Sequence, residues 1–106
     1  MKGTHLGEFQ EIVMLSILIL DDNAYGLTIQ EEIDTRMKRS VSRGALHTAL
    51  TRLEEKGFIS SAYGEPTAER GGRRKRYYEV SKKGIETLKE AKELRQDMWN
   101  LIPKLA

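Results

Sequence analysis

The rhythm of the chain breaks at Lys56-Gly57 and does not turn helical again until Ser81. Upstream, apolar residues recur every three or four positions, the spacing that gathers them on one side of a helix. Downstream, FISSAY (Phe58–Tyr63) and RYYEV (Arg76–Val80) are rich in aromatic and β-branched residues, as strands are. Between them lies GEPTAERGGRRK, whose Gly, Pro and Gly-Gly are turn material. The pattern predicts a hairpin with a long tip, set into an otherwise helical chain. Gly57 suits the stop, because glycine tolerates the left-handed position that closes a helix.

The helical parts divide further. From about Leu6 to Leu20, Leu6, Phe9, Ile12, Val13, Ser16, Ile17 and Leu20 recur at helical spacing, and Met14, Leu15, Leu18 and Ile19 add a second apolar face. A helix apolar nearly all round is buried on several sides, and in a chain this short one side is expected to meet a partner subunit. Asp21-Asp22-Asn23 interrupts it. A second helix is expected from about Tyr25 to Lys38. Leu27, Ile29 or Gln30, Ile33 and Met37 form its core edge, Glu31, Glu32, Asp34, Lys38 and Arg39 lie outside, and Gly26 allows close packing or an unusual entry. Ser40-Val41-Ser42 offers caps for a third helix. Its apolar stripe is Ala45, Leu46, Ala49, Leu50 and Leu53. Gly44, Thr48, Thr51 and Glu55 point the other way, with Arg43, His47 and Arg52 on the flanks. Ser81 caps a last helix to about Ile102, where Leu88, Ala91, Leu94, Met98, Leu101 and Leu105 make a coiled-coil-like seam and Pro103 ends the run.

This order predicts an α+β chain, mostly α: a winged helix-turn-helix with an added C-terminal dimerisation helix. Residues 1–80 form the winged part and 81–106 the dimerisation helix, within one compact unit. A length of 106 residues suits one domain. Hydrophobic residues make up 39 %, enough for a small core, and the 32 % charged content fits a subunit that also buries surface in an oligomer. Net charge is only +2, so positive charge matters here by position rather than by total.

The position is the hairpin tip. Arg70, Arg73, Arg74, Lys75 and Arg76 are clustered there, split by Gly71 and Gly72. Beside a helix-turn-helix, such a wing is expected to displace counterions from a DNA backbone. The third helix is expected in the major groove, where small and hydrogen-bonding side chains belong. Gly44, Thr48 and Thr51 leave room, Arg43 and His47 donate, and Ser40 and Ser42 with the free amides of the helix start add phosphate contacts. Strand alternation lets only about half of Arg73–Arg76 face DNA; the others are expected to pair with Glu54, Glu55 or Glu79. Tyr77 and Tyr78 are expected on opposite faces of the hairpin, one inward, with Tyr63 inward from the first strand.

Other chemistry finds little support. With no cysteine, disulfides and thiolate metal sites are excluded. His5 and His47 make a poor metal pair. The serines sit at caps and on a strand, away from any nucleophile elbow, and there is no phosphate-binding or dinucleotide motif. No enzyme, cofactor or metal is expected. Ile12–Leu20, the longest apolar run, spans about half a bilayer and lacks the flanks of a secretion signal, so a cytoplasmic protein without membrane contact is expected. Trp99, beside Met98, is read first as dimer packing and second as the wall of a site for a flat apolar molecule.

YGLTIQEEI, SRGALHTALTRLEEKGFI and GGRRKRYYEVSKKG, in that order, resemble the PadR family of bacterial transcriptional regulators, over about Leu6 to Leu94. The glycine-rich basic tip, paired tyrosines and Ser-x-x-Gly opening a helix are the most specific part. The resemblance implies a winged helix-turn-helix dimer, usually a repressor; for a two-fold dimer on double-stranded DNA, geometry leads one to expect a pseudo-palindromic operator. A single C-terminal helix is the mark of the small subfamily. The first and last helices would build the homodimer, and some small members sense hydrophobic or aromatic effectors there. His47 stands where the family typically has a tyrosine that touches the DNA backbone; histidine shortens the reach and adds pH sensitivity near neutral. The competing expectation is a protein-interaction module without DNA, using the acidic face of Glu31, Glu32 and Asp34.

Overall fold

A computed structural model describes residues 6–65 and 74–104. Arg70, Gly71, Gly72 and Arg73 of the tip, together with His5 and Leu105, lie outside the described residues. Helix α1 (Glu8–Leu20) leads through a single 3-10 turn (Asp21–Asn23) to α2 (Gly26–Met37) and α3 (Arg43–Glu55). Strands β1 (Ile59–Tyr63) and β2 (Arg76–Val80) follow, then α4 (Lys82–Asn100). The strands pair antiparallel from Ile59 with Val80 out to Tyr63 with Arg76. The expected winged helix-turn-helix with a trailing helix is the observed one.

The core forms where the apolar stripes of the first three helices meet the base of the hairpin. Val13, Met14 and Ile17 of α1, Ile29 and Ile33 of α2, and Leu46, Leu50 and Leu53 of α3 close around Phe58 and Ile59 at the hairpin base. The face of α1 bearing Leu15, Leu18 and Ile19 stays open, as its two-sided apolar pattern foretold. Three expectations are corrected. Leu27 is half exposed instead of forming a core edge, and Ala45 is exposed, because the α3 stripe is narrower than the five residues assigned to it. Gly26 packs against nothing: a Cβ there would meet open space.

The turn between α2 and α3 is built by side chains of α2. Lys38 takes the left-handed conformation (φ 57°) and ends α2. Asp34 Oδ1 then accepts the Val41 N–H at 2.8 Å, and Gln30 Nε2 donates to the Val41 carbonyl at 2.7 Å. Both backbone groups of a residue that buries its side chain are thereby satisfied. Asp34→Ala strands the Val41 N–H and is expected to cost about 1–3 kcal/mol, read as a lower urea midpoint with unchanged m-value.

Hairpin and α4 are joined at one point. Ser81 Oγ accepts the Gly84 N–H at 3.0 Å as an N-cap and donates to the Gly57 carbonyl at 2.7 Å, while the Ser81 N–H bonds the Phe58 carbonyl at 2.9 Å. Gly57 has φ +81°, the left-handed geometry its place after α3 requires. From Lys92 onward α4 is exposed on all sides. The radius of gyration, 15.9 Å, therefore exceeds the roughly 13 Å of a compact chain of this length.

Candidate nucleic-acid interface

The outward side of α3 is polar and uncluttered. Ser42 Oγ accepts the Ala45 N–H at 3.0 Å and fixes the helix start. Ser40, the other cap candidate, is exposed in the turn and caps nothing. Arg43, Gly44, His47, Thr48 and Thr51 are all exposed. Their helical angles place Gly44, Thr48 and Thr51 opposite the buried stripe of Leu46, Leu50 and Leu53. A Cβ on Gly44 would meet open space, so glycine there keeps the surface low.

The wing stands beside the edge of α3 that carries Arg43 and His47; these two share a small cleft with Gly26, Gln30 and Tyr78. Tyr78 is buried and Tyr77 half-buried, the alternation expected of paired tyrosines. Burial pushes the Tyr78 phenol above its ordinary pKa, against the lowering effect of Arg76. Tyr63 departs from expectation: it is 59 % exposed and presents its ring to Arg74 and Arg76. Tyr25, which sequence reasoning passed over, ties the wing to α2. Its backbone bridges Tyr77, the rings meet edge-on at 5.5 Å, and the Tyr78 N–H bonds the Ala24 carbonyl at 2.9 Å. The aromatic residue just before α2 was the available signal.

The described wing cations are held differently. Arg74 Nε donates to the Gly64 carbonyl at 2.9 Å. Lys75 Nζ lies 4.5 Å above the Tyr25 ring. Both of these partners are neutral. Arg76 instead meets Glu54 at 3.2 Å and Ser61 at 2.9 Å. Among the described residues, Glu54 is the one of the expected acids that pairs with the run. The acidic face of α2 is broken up by local bonds: Asp34 serves Val41, and Glu32 pairs with Arg36 at 2.6 Å.

A second concavity lies between α1 and α4, with a volume of about 510 Å³. Leu15, Leu18, Ile85, Leu88 and Trp99 supply its apolar wall, and Lys89, Lys92 and Arg95 its rim. Arg95 is anchored to Glu11 of α1 at 2.8 Å. Met98 is not in this wall. It lies about a quarter-turn of the helix away from Trp99, on the separate exposed seam with Leu94 and Leu101, so the two neighbours in sequence do not share a site. Among the described residues no cluster of His, Asp and Glu could hold a metal, and no helix is long and apolar enough to cross a membrane.

The sequence signature of the transcriptional regulator PadR-like family matches residues 14–90. The chain belongs to this family. A PadR-like transcription factor from Bacteroides fragilis superposes with a TM-score of 0.72 at 23 % identity, covering 92 % of this chain and 89 % of that one. A transcriptional regulator from Clostridium thermocellum gives a TM-score of 0.68 at 28 % identity, with 96 % and 99 % covered. A protein of Lysinibacillus sphaericus is 36 % identical over 75 residues, 69 % of this chain and 66 % of that one, so the match spans just under two thirds of that relative. As a PadR-like protein, the chain has the fold of a DNA-binding transcriptional regulator.

Proposed function

We propose that this PadR-like protein is a cytoplasmic, homodimeric repressor that binds a pseudo-palindromic operator and carries out no catalytic step. One observation carries the reading: α3 presents Gly44, Thr48 and Thr51 outward, flanked by Arg43 and His47, with Arg74 and Lys75 of the wing held on neutral partners nearby. In this reading α3 enters the major groove. Ser40, Ser42 and Arg43 meet phosphates at its start, and Arg70, Arg73, Arg74 and Lys75 track the backbone beyond. A two-fold dimer sets half-sites about one helical turn apart, or a multiple of it.

The homodimer is supported by exposed apolar surface outside the groove between α1 and α4: Ile19 of α1, and Leu94, Met98 and Leu101 of α4. An aromatic or hydrophobic effector would release the operator from the α1–α4 groove, against Trp99. Because Trp99 is the single tryptophan, saturable quenching of its fluorescence by such a compound is expected and is lost in Leu18→Arg. A panel of planar aromatics without any quenching would remove the effector from the scheme.

The deciding experiment is fluorescence anisotropy of a duplex from upstream of the protein's own gene, with a scrambled duplex of equal length, over a salt series. Binding tighter by about a thousandfold or more to the upstream duplex is expected of a specific regulator. No binding to either duplex at low salt would overturn the reading.

A further inference from the structure

Arg76 differs from the other described wing cations in meeting a carboxylate, and the contact is built. Its Nη2 lies 3.2 Å from Glu54 Oε1, and its Nε donates to Ser61 Oγ at 2.9 Å. Ser61 Oγ lies 2.9 and 3.1 Å from the two Glu54 oxygens and donates its proton there. The three side chains close a ring that joins the end of α3, β1 and β2. The Tyr63 and Tyr78 ring centroids lie 5.9 and 5.7 Å from the guanidinium carbon. Glu54 also lies one turn beyond Leu50 and two beyond His47, on the edge of α3 that faces the wing.

A cation placed here without a partner would add the same counterion release to every duplex, whatever its sequence. It would raise specific and non-specific affinity alike, and in a genome full of competing sites the non-specific gain is the damaging one. We propose that Glu54 is a positioning residue that withholds Arg76 from phosphate and, through Ser61, fixes the wing against α3, so that non-specific DNA binding is held down. The inference rests on the DNA-binding reading above. It assigns Arg76, expected from sequence as a DNA contact, to the opposite role.

Glu54→Gln keeps the shape and the bond to Ser61 but removes the charge. With a duplex of arbitrary sequence, the slope of log K against log salt is expected to steepen by about 0.9, and affinity near 0.1 M salt to rise about eightfold. Arg76→Gln alone should leave the slope as in the natural protein, and the double variant should return to it. Arg74→Gln, which removes a cation held on neutral partners, should flatten the slope by about 0.9 and calibrates the scale. A purely structural role for Glu54 would lower the melting temperature without steepening the slope. An unchanged slope in folded Glu54→Gln overturns the proposal. So does loss of a full phosphate contact in Arg76→Gln, which decides alone if Glu54→Gln does not fold. If the natural protein and every variant fail to bind any duplex at low salt, the DNA reading falls first and the role of Glu54 with it.

Discussion

Gly84→Ala is expected to destabilise the protein by at least about 3 kcal/mol. A Cβ at position 84 would stand 2.2 Å from the Phe58 carbonyl oxygen, 2.8 Å from Val80 Cγ1 and 3.0 Å from Met14 Cε. Methionine can swing its terminal methyl aside, but a backbone carbonyl cannot. That carbonyl already accepts the Ser81 N–H at 2.9 Å. Relief must therefore come from lifting α4 off the hairpin, which opens the packing around Phe58, a fully buried residue. For a domain of this size the melting temperature should fall by more than about 12 °C. Thermal unfolding followed by circular dichroism reads it directly. Gly44→Ala is the control. Its Cβ meets open space within a helix, so it should be neutral or stabilise by up to about 1 kcal/mol. A Gly84→Ala variant melting with the natural protein would mean that α4 does not seat on the hairpin as described.

Leu94→Glu is expected to separate the dimer and to weaken operator binding by about a hundredfold or more, without unfolding the protomer. Leu94 is 61 % exposed and sits on the outer seam of α4, away from the groove against α1. A charge there leaves the protomer core untouched. In the proposed dimer it would be driven into an apolar seam beside Met98 and Leu101, where an unpaired carboxylate is costly. A monomer then holds one half-site at a time and loses the gain of two linked contacts. Sedimentation velocity and anisotropy on the same samples test both statements. A variant that stays dimeric would move the interface off this seam. A monomer that keeps full affinity would remove the paired half-sites.

The sequence made some levels of this structure legible and concealed others. Elements with a strong period were readable: α3 ends at Glu55, just before the Lys56-Gly57 stop, and Ser42 and Ser81 cap as their positions imply. The open face of α1 followed from its having more apolar residues than one stripe can bury. Contacts between elements were not readable in the same way. Asp34 looks like a solvated acid on a helical wheel, because nothing local shows that a turn folds back to deliver the Val41 N–H to it. Tyr63 looks like a core aromatic in a strand, yet it lies beyond the edge of the core and offers its face to arginines. Met98 and Trp99 are neighbours in sequence, and the roughly 100° between successive helix residues separates them. The carboxylate chosen by Arg76, among three offered by the sequence, depended on the register of Tyr63 with Arg76 and on the angle at which α3 meets the hairpin.

The seat of α4 has a mechanical consequence. Ser81 and Gly84 form a fulcrum, with the hairpin base on one side and, on the other, a long arm that Arg95 ties to Glu11 of α1. From Gly84 to Trp99 the arm measures about 22 Å at helical rise, so a tilt of about 5° at the fulcrum carries the Trp99 end by about 2 Å. In a two-fold assembly both arms tilt together, and the separation of the two α3 helices changes with them. A molecule wedged beside Trp99 would thus act on DNA as a lever does, with no path of altered contacts through the core. Paired spin labels on α3 of the two protomers would lengthen or shorten their distance if the arm works this way, and hold it constant if it does not.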